Sequence, residues 1–186
     1  VATSYRVSDP VVLRAVAHPL RTRLLAHLRL HGPATASALA RALGESSGAT
    51  SYHLRQLARY GFVEPDPEQA SRREKRWRAR HDYTDVDLPD LADPEARDAL
   101  DELLAAQQEG LREGLRRRRR EGPGWPGEWQ AAHASSDLLV QVTAEELADL
   151  KRRITALLLE HERSDDPAAR RVVVHLHSFW AEGERP

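Results

Sequence analysis

The close, regular interruption of helical periodicity between Asp9 and Arg80 is the feature that most restricts the fold of this chain. Helices this short are marginal alone, so each must bury an apolar face against its neighbours. Asp9-Pro10 suits a helix start, because Asp accepts from free first-turn N–H groups and Pro has no N–H to waste there. Val12, Leu13 and Val16 follow at helical spacing. His18-Pro19 ends that helix and begins a second, whose Leu20, Leu24, Leu25 and Leu28 share one face as far as His31-Gly32-Pro33. Thr35 is the expected cap of a third, short helix with Leu39, Ala42 and Leu43 on its apolar side, closed by Gly44. After that turn Ser47 is the expected cap of a fourth helix, which directs Ala49, Leu54 and Leu57 inward and stops at Tyr60-Gly61.

Two strand-like segments come next, Phe62-Val63-Glu64 and Lys75 to Arg80, separated by a charged stretch. In the second, Trp77 and Ala79 alternate with Arg76, Arg78 and Arg80, so one face can pack while the other stays cationic. The pair is a hairpin, or wing. Two short helices joined across Gly44 to Ser47 make a candidate helix-turn-helix, whose second helix must offer small polar side chains to a major groove. Its outward positions are expected at Ser47, Thr50, Ser51, Tyr52, Arg55 and Arg59, with His53 at the boundary. Hydroxyls suit phosphate oxygens, and Arg55 can fork onto guanine. From the wing, Arg72, Arg73, Lys75 and Arg76 can follow the backbone or probe the minor groove.

Charge supports this reading only once the chain is divided. The 28 basic and 29 acidic residues nearly cancel, yet Val1 to Thr84 carries 14 Lys/Arg against 7 Asp/Glu, and Asp85 to Pro186 carries 14 against 22. A basic half beside an acidic one points to a polyanionic partner for the first.

His18-Pro19-Leu20-Arg21-Thr22-Arg23-Leu24-Leu25, Ala36 to Gly44, Ser47, Ser51-Tyr52-His53-Leu54-Arg55-Gln56-Leu57 and Gly61-Phe62-Val63 together resemble the winged helix-turn-helix of ArsR-type bacterial transcriptional regulators. The resemblance covers about residues 9 to 81. It implies a homodimer that binds an operator and usually represses, with groove-facing positions at Ser47, Thr50, Ser51, Tyr52, His53 and Arg55. Many members sense metals through cysteines, and this chain has none.

Beyond the wing, Asp82 to Asp93 is acidic, proline-containing and without periodicity, as a linker would be. Residues 94–121 are expected to form a long amphipathic helix with Leu100, Leu103, Leu104, Leu111 and Leu115 on a narrow stripe suited to dimerisation. Gly122-Pro123-Gly124 ends it. Residues 137–181 are expected to form a small β-α-β element: Leu138 to Val142, a helix opened by the capping box Thr143-Ala144-Glu145-Glu146, and Val172 to Trp180. The fold class is therefore α+β, with a winged helix-turn-helix over 9–81, a linker over 82–93, the dimerisation helix over 94–121 and the β-α-β element over 137–181.

Other chemistry is poorly supported. The absence of cysteine removes thiolate sites and disulfides. The pairs His27/His31 and His175/His177 have metal-compatible spacing but supply two ligands each, so no metal and no cofactor is expected. No phosphate loop, nucleophile elbow or His-Glu-x-x-His motif is present, and no catalytic residue is assigned. No apolar run is long enough to span a membrane, and the opening Val-Ala-Thr-Ser-Tyr-Arg lacks the layout of a secretory signal, so a cytoplasmic location is expected. The expected function is a sequence-specific regulator of transcription, a homodimeric repressor on double-stranded DNA. The alternatives are an effector-gated regulator with a small-molecule pocket in the C-terminal half, a protein-interaction adaptor on a winged-helix scaffold, and an RNA-binding winged helix.

Overall fold

The computed structural model describes residues 3–68, 75–86, 93–133, 136, 138–160, 166–179 and 181. The chain opens with strand β1 (Ser4–Val7), followed by α1 (Pro10–Ala17) and α2 (Pro19–His31). Asp9 caps α1, its Oδ1 accepting from Val11 N at 2.7 Å. His18 both ends α1 and caps α2, with Nδ1 accepting from Leu20 N at 3.1 Å. This single residue makes the corner between the two helices, and the Thr22 hydroxyl braces it by donating to Val16 O at 2.7 Å.

Strand β2 (Ala34–Thr35) leads into α3 (Ala36–Leu43), which Thr35 caps through Ala38 N at 3.2 Å. Gly44 closes α3 in the left-handed conformation (φ 69°), where a side chain would be strained. Helix α4 (Ser47–Arg59) is capped one residue earlier than the sequence suggests: Ser46 Oγ accepts from Ala49 N at 3.1 Å, and Ser47 is its first helical residue. Leu13, Leu24, Leu39, Leu54, Leu57 and Phe62 are fully buried where α1 to α4 converge. Side chains of this kind contribute about 1.5–3 kcal/mol each on burial, which is how such short helices persist together.

The wing comprises β3 (Val63–Pro65) and β4 (Arg76–Ala79), antiparallel, with Val63 opposite Ala79 and Glu64 opposite Arg78. Strand β2 adds to the other edge of β4, giving the order β2-β4-β3 and seating the buried Trp77 opposite Ala34. That third strand was not expected, because two residues show no period.

Strand β5 (Tyr83–Val86) lies within the stretch expected to be an unstructured linker and pairs in parallel with β1, Ser4 opposite Tyr83 and Val7 opposite Val86. Its partner is too distant in sequence for local pattern to reveal it. Asp82 Oδ2 accepts from Thr3 N at 2.8 Å, and Arg29 from α2 donates to His81 O at 3.0 Å and Thr84 Oγ1 at 2.9 Å. Burial pulls the Arg29 pKa down to about 10, which leaves it charged at neutral pH.

Helix α5 (Pro94–Glu121) is long, as expected, but its two halves serve different ends. Ala96, Ala99 and Leu103 are buried against the N-terminal core, with Leu100 partly buried beside them. Leu103, expected on a dimer seam, is 5 % exposed and belongs to its own chain's core. The alanines, small enough to admit a neighbouring helix closely, place the packed face at 96, 99, 100 and 103. Further along, Leu104 and Leu111 are half-buried and Leu115 is 51 % exposed.

A 3-10 turn (Gly122–Gly124), α6 (Gly127–Ala132) and α7 (Ala144–Glu160) complete the described elements. The capping box of α7 forms in both directions, Thr143 N to Glu146 Oε2 at 2.7 Å and Glu146 N to Thr143 Oγ1 at 3.2 Å. The flanking strands expected at Leu138–Val142 and Val172–Trp180 are not found among the described residues, and Trp180 lies outside them. Leu138 and Leu139 are each 87 % exposed, and Val172, Val173 and Val174 are also exposed. Strand-forming composition yields a strand only where a second segment supplies the ladder, and none does so among the described residues. No described helix is long and apolar enough to cross a membrane.

Candidate nucleic-acid interface

The geometry of the site follows from which face α4 buries. Thr50, Leu54 and Leu57 stand at i, i+4 and i+7, and all three are fully buried. The opposite face carries Tyr52, Arg55 and Arg59, all exposed, with Ser51 half-buried at its edge, while Ser47, two turns before Leu54, is exposed because it opens the helix. Thr50 was expected on the outward face. It is instead 0 % exposed, because it repeats the spacing of Leu54 and Leu57, and its Oγ1 has no hydrogen-bond partner among the described residues. Small polar composition masked that periodicity.

Arg55 is exposed and folds back along α4, its Nε donating to Ser51 O at 3.1 Å, and no carboxylate neutralises it among the described residues. The Arg59 guanidinium lies 5.7 Å from the centre of the Tyr60 ring. Tyr52, 53 % exposed, stands edge-on to His53 with ring centres 5.1 Å apart. His53 is half-buried and turns toward α2, where its ring meets that of His18 at 4.4 Å. Burial, then the neighbouring His18 and Arg21, lower the pKa of His53.

The wing is less cationic than its sequence. Arg78 pairs with Glu64 at 2.6 Å, Arg80 approaches the same carboxylate at 3.8 Å, and Arg76 lies 3.7 Å from the buried Asp66 while donating to Pro33 O at 2.9 Å. Arg76 is therefore held at the wing's base by its own chain. Lys75 sits with Nζ 4.1 Å from the centre of the Trp77 ring, a cation–π contact that fixes the ammonium beside α4. Arg72 and Arg73 lie outside the described residues.

Ser51, Arg55, Lys75 and Trp77 meet Thr35, Ala36 and Ser37 around an open recess of about 360 Å³ between the start of α3, the side of α4 and the wing. The sequence reading missed Ser37, although its place in the first turn of a capped helix is the signal that could have found it. Hydroxyls, two cations and a helix start converge there, which is the chemistry that receives a phosphate oxygen. No group of three or more His, Asp or Glu arranged to hold a metal ion occurs among the described residues.

Residues 16–66, spanning the end of α1 to the first wing strand, match a family described as a helix-turn-helix domain. They form a helix-turn-helix domain of the ArsR type. In this domain α3 and α4 are the first and second helices of the motif, and the hairpin of β3 and β4 that follows is the wing. No curated protein matches the chain. Among solved structures it is similar to RV1404 from Mycobacterium tuberculosis, at 18 % identity over 83 % of this chain and 86 % of that one, with a TM-score of 0.32. It is similar also to a mutant of Lactococcus lactis ZitR in apo form, at 15 % identity over 75 % and 83 % of the two chains and a TM-score of 0.31. A third is the adhesin competence repressor AdcR from Streptococcus pyogenes, at 18 % identity over 78 % and 79 %, with a TM-score of 0.29.

Proposed function

We propose that the protein is a homodimeric, sequence-specific DNA-binding regulator that represses transcription by occupying an operator. The observation that carries this reading is the division of the recognition helix. Thr50, Leu54 and Leu57 fix one face in the core, Tyr52, Arg55 and Arg59 are left on the other, and Ser47 is exposed at the start of the helix. A helix anchored in this way can enter a major groove as a rigid body, with Arg55 reading a guanine edge and Ser47 and Ser51 contacting phosphates. Lys75 adds a backbone contact from the wing, and Ser37 adds one from α3.

The distal part of α5 supports the dimer. Leu104, Leu111 and Leu115 run on past the segment that packs on its own core, and the exposure of Leu115 leaves an apolar strip a second copy can cover. Two recognition helices would then address half-sites about 34 Å apart, one turn of duplex.

Selection of binding sites from a random duplex library tests the reading. The expected product is an inverted repeat with a guanine common to both half-sites. Failure of the pool to converge on any sequence would contradict it.

A further inference from the structure

Two imidazoles join the start of α2 to the recognition helix. The rings of His18 and His53 lie 4.4 Å apart and 35° from parallel. His18 Nδ1 accepts the backbone N–H of Leu20, so its proton resides on Nε2 and the ring is neutral while it caps α2. His53 Nδ1 is buried with no hydrogen-bond partner among the described residues, so a proton added there would be a buried donor without an acceptor. We propose that the His18–His53 pair positions the recognition helix on α2 and holds that seat only while both rings are neutral. Its consequence for operator reading rests on the function proposed above.

The surrounding charges point the same way. From α2 comes Arg21, whose guanidinium donates to Arg14 O at 3.0 Å and whose Nε is buried without a partner among the described residues. From α4 comes Tyr52, packed edge-on to His53. Protonation is favoured at His53 by Glu45, from the turn between α3 and α4, and at His18 by a hydrogen bond with its own backbone and then by Glu102, from α5. Glu45 is already paired with Arg23 at 3.0 Å. Burial and then Arg21 outweigh the backbone hydrogen bond and Glu102 at His18, and burial, His18 and Arg21 outweigh Glu45 at His53, so both pKa values lie below 6.5.

Protonation would break the α2 cap and set a cation against Arg21 at the same point. With folded values below the unfolded 6.5, the contribution of the pair to stability is complete above pH 6.5. It is lost as the pH falls through the lowered values. The seat of α4, not the exposed groove-facing side chains, is what acid would disturb. His53 is thus a positioning residue, not a base reader.

The test uses the full chain labelled with 15N. Long-range 1H–15N spectra of the imidazoles are followed from about pH 8 to about pH 5, alongside the backbone amides of Thr50, Leu54 and Leu57. The expected result is an Nε2–H tautomer for His18 at high pH, titration of both rings below 6.5, and movement of the three amides with the same midpoints. A His18 proton on Nδ1 at high pH, or amides that ignore the titration, would overturn the proposal.

His18→Asn and His53→Gln, singly and combined, supply a second readout, since Asn keeps a helix cap and neither residue titrates. The affinity ratio between a duplex selected by the wild-type protein and a scrambled one cancels the general attraction of DNA for a protonated ring. In the wild-type protein this ratio should fall on acidification, by up to about tenfold per unit of pKa difference between seated and displaced states. In the double variant it should stay flat, and an unchanged slope there would also overturn the proposal. A clear imidazole and amide titration in a protein that prefers no duplex would leave the positioning pair intact and reject the operator reading instead.

Discussion

Thr50 and Leu54 lie one helical turn apart on α4 and are equally inaccessible, although one side chain is polar and the other is not. The Thr50 hydroxyl has no hydrogen-bond partner among the described residues, so its burial costs free energy that a methyl group would not. Thr50→Val, nearly the same shape, is therefore expected to raise stability by about 1 kcal/mol in urea denaturation and to leave DNA affinity unchanged. A loss of DNA affinity at unchanged stability would show that Thr50 reaches the groove after all.

Ser46 and Ser47 are adjacent, but only Ser46 caps α4. Ser46→Ala should cost about 1 kcal/mol of folding stability, and Ser47→Ala should leave the denaturation midpoint nearly unmoved while weakening DNA binding. Equal destabilisation by the two substitutions would return the cap to Ser47.

Arg55 is the exposed cation nearest the middle of the outward face of α4. Arg55→Ala should cost about 1–3 kcal/mol on a selected duplex and much less on a scrambled one, as titrated by fluorescence anisotropy. The same loss on both would reduce Arg55 to a phosphate contact.

Leucines on α5 divide by position. Leu103→Ala should destabilise the fold by about 2–5 kcal/mol, because the side chain fills the core of its own chain. Leu111→Glu combined with Leu115→Glu should leave the thermal midpoint of the monomer fold little changed and shift the sedimentation of the protein toward one copy. Unchanged assembly in that variant would move the dimer contact elsewhere.

Much of the N-terminal fold was legible in the sequence because each helix there carries its own start and stop. Asp9, His18-Pro19, Thr35 and Gly44 act within a few residues of where they stand, and local chemistry of that kind survives tertiary packing. What stayed hidden depended on distant partners. Strand β5 exists because β1 lies beside it, and Ala34-Thr35 is a strand because Trp77 and Arg76 are opposite. Val172 to Val174, with every local mark of a strand, have no such neighbour among the described residues.

The candidate site divides along the same line. Tyr52, Arg55 and Arg59 stand where helical spacing sets them, and Ser47 is exposed because it opens the helix. Thr50 is hidden from a reading by residue type because its polar side chain occupies a position that period assigns to the core, with Leu54 and Leu57. Of the wing arginines expected on DNA, Arg76 is held beside Asp66 from the other side of the hairpin, and Arg72 and Arg73 lie outside the described residues.

Fluorescence anisotropy on a duplex recovered by selection, against its scrambled counterpart and across a range of salt, tests the central claim most directly. The account predicts binding to the selected duplex tighter by about 10³-fold or more, with both affinities falling as salt rises because arginines and Lys75 displace counterions. Equal affinity for the two duplexes at every salt concentration would contradict it.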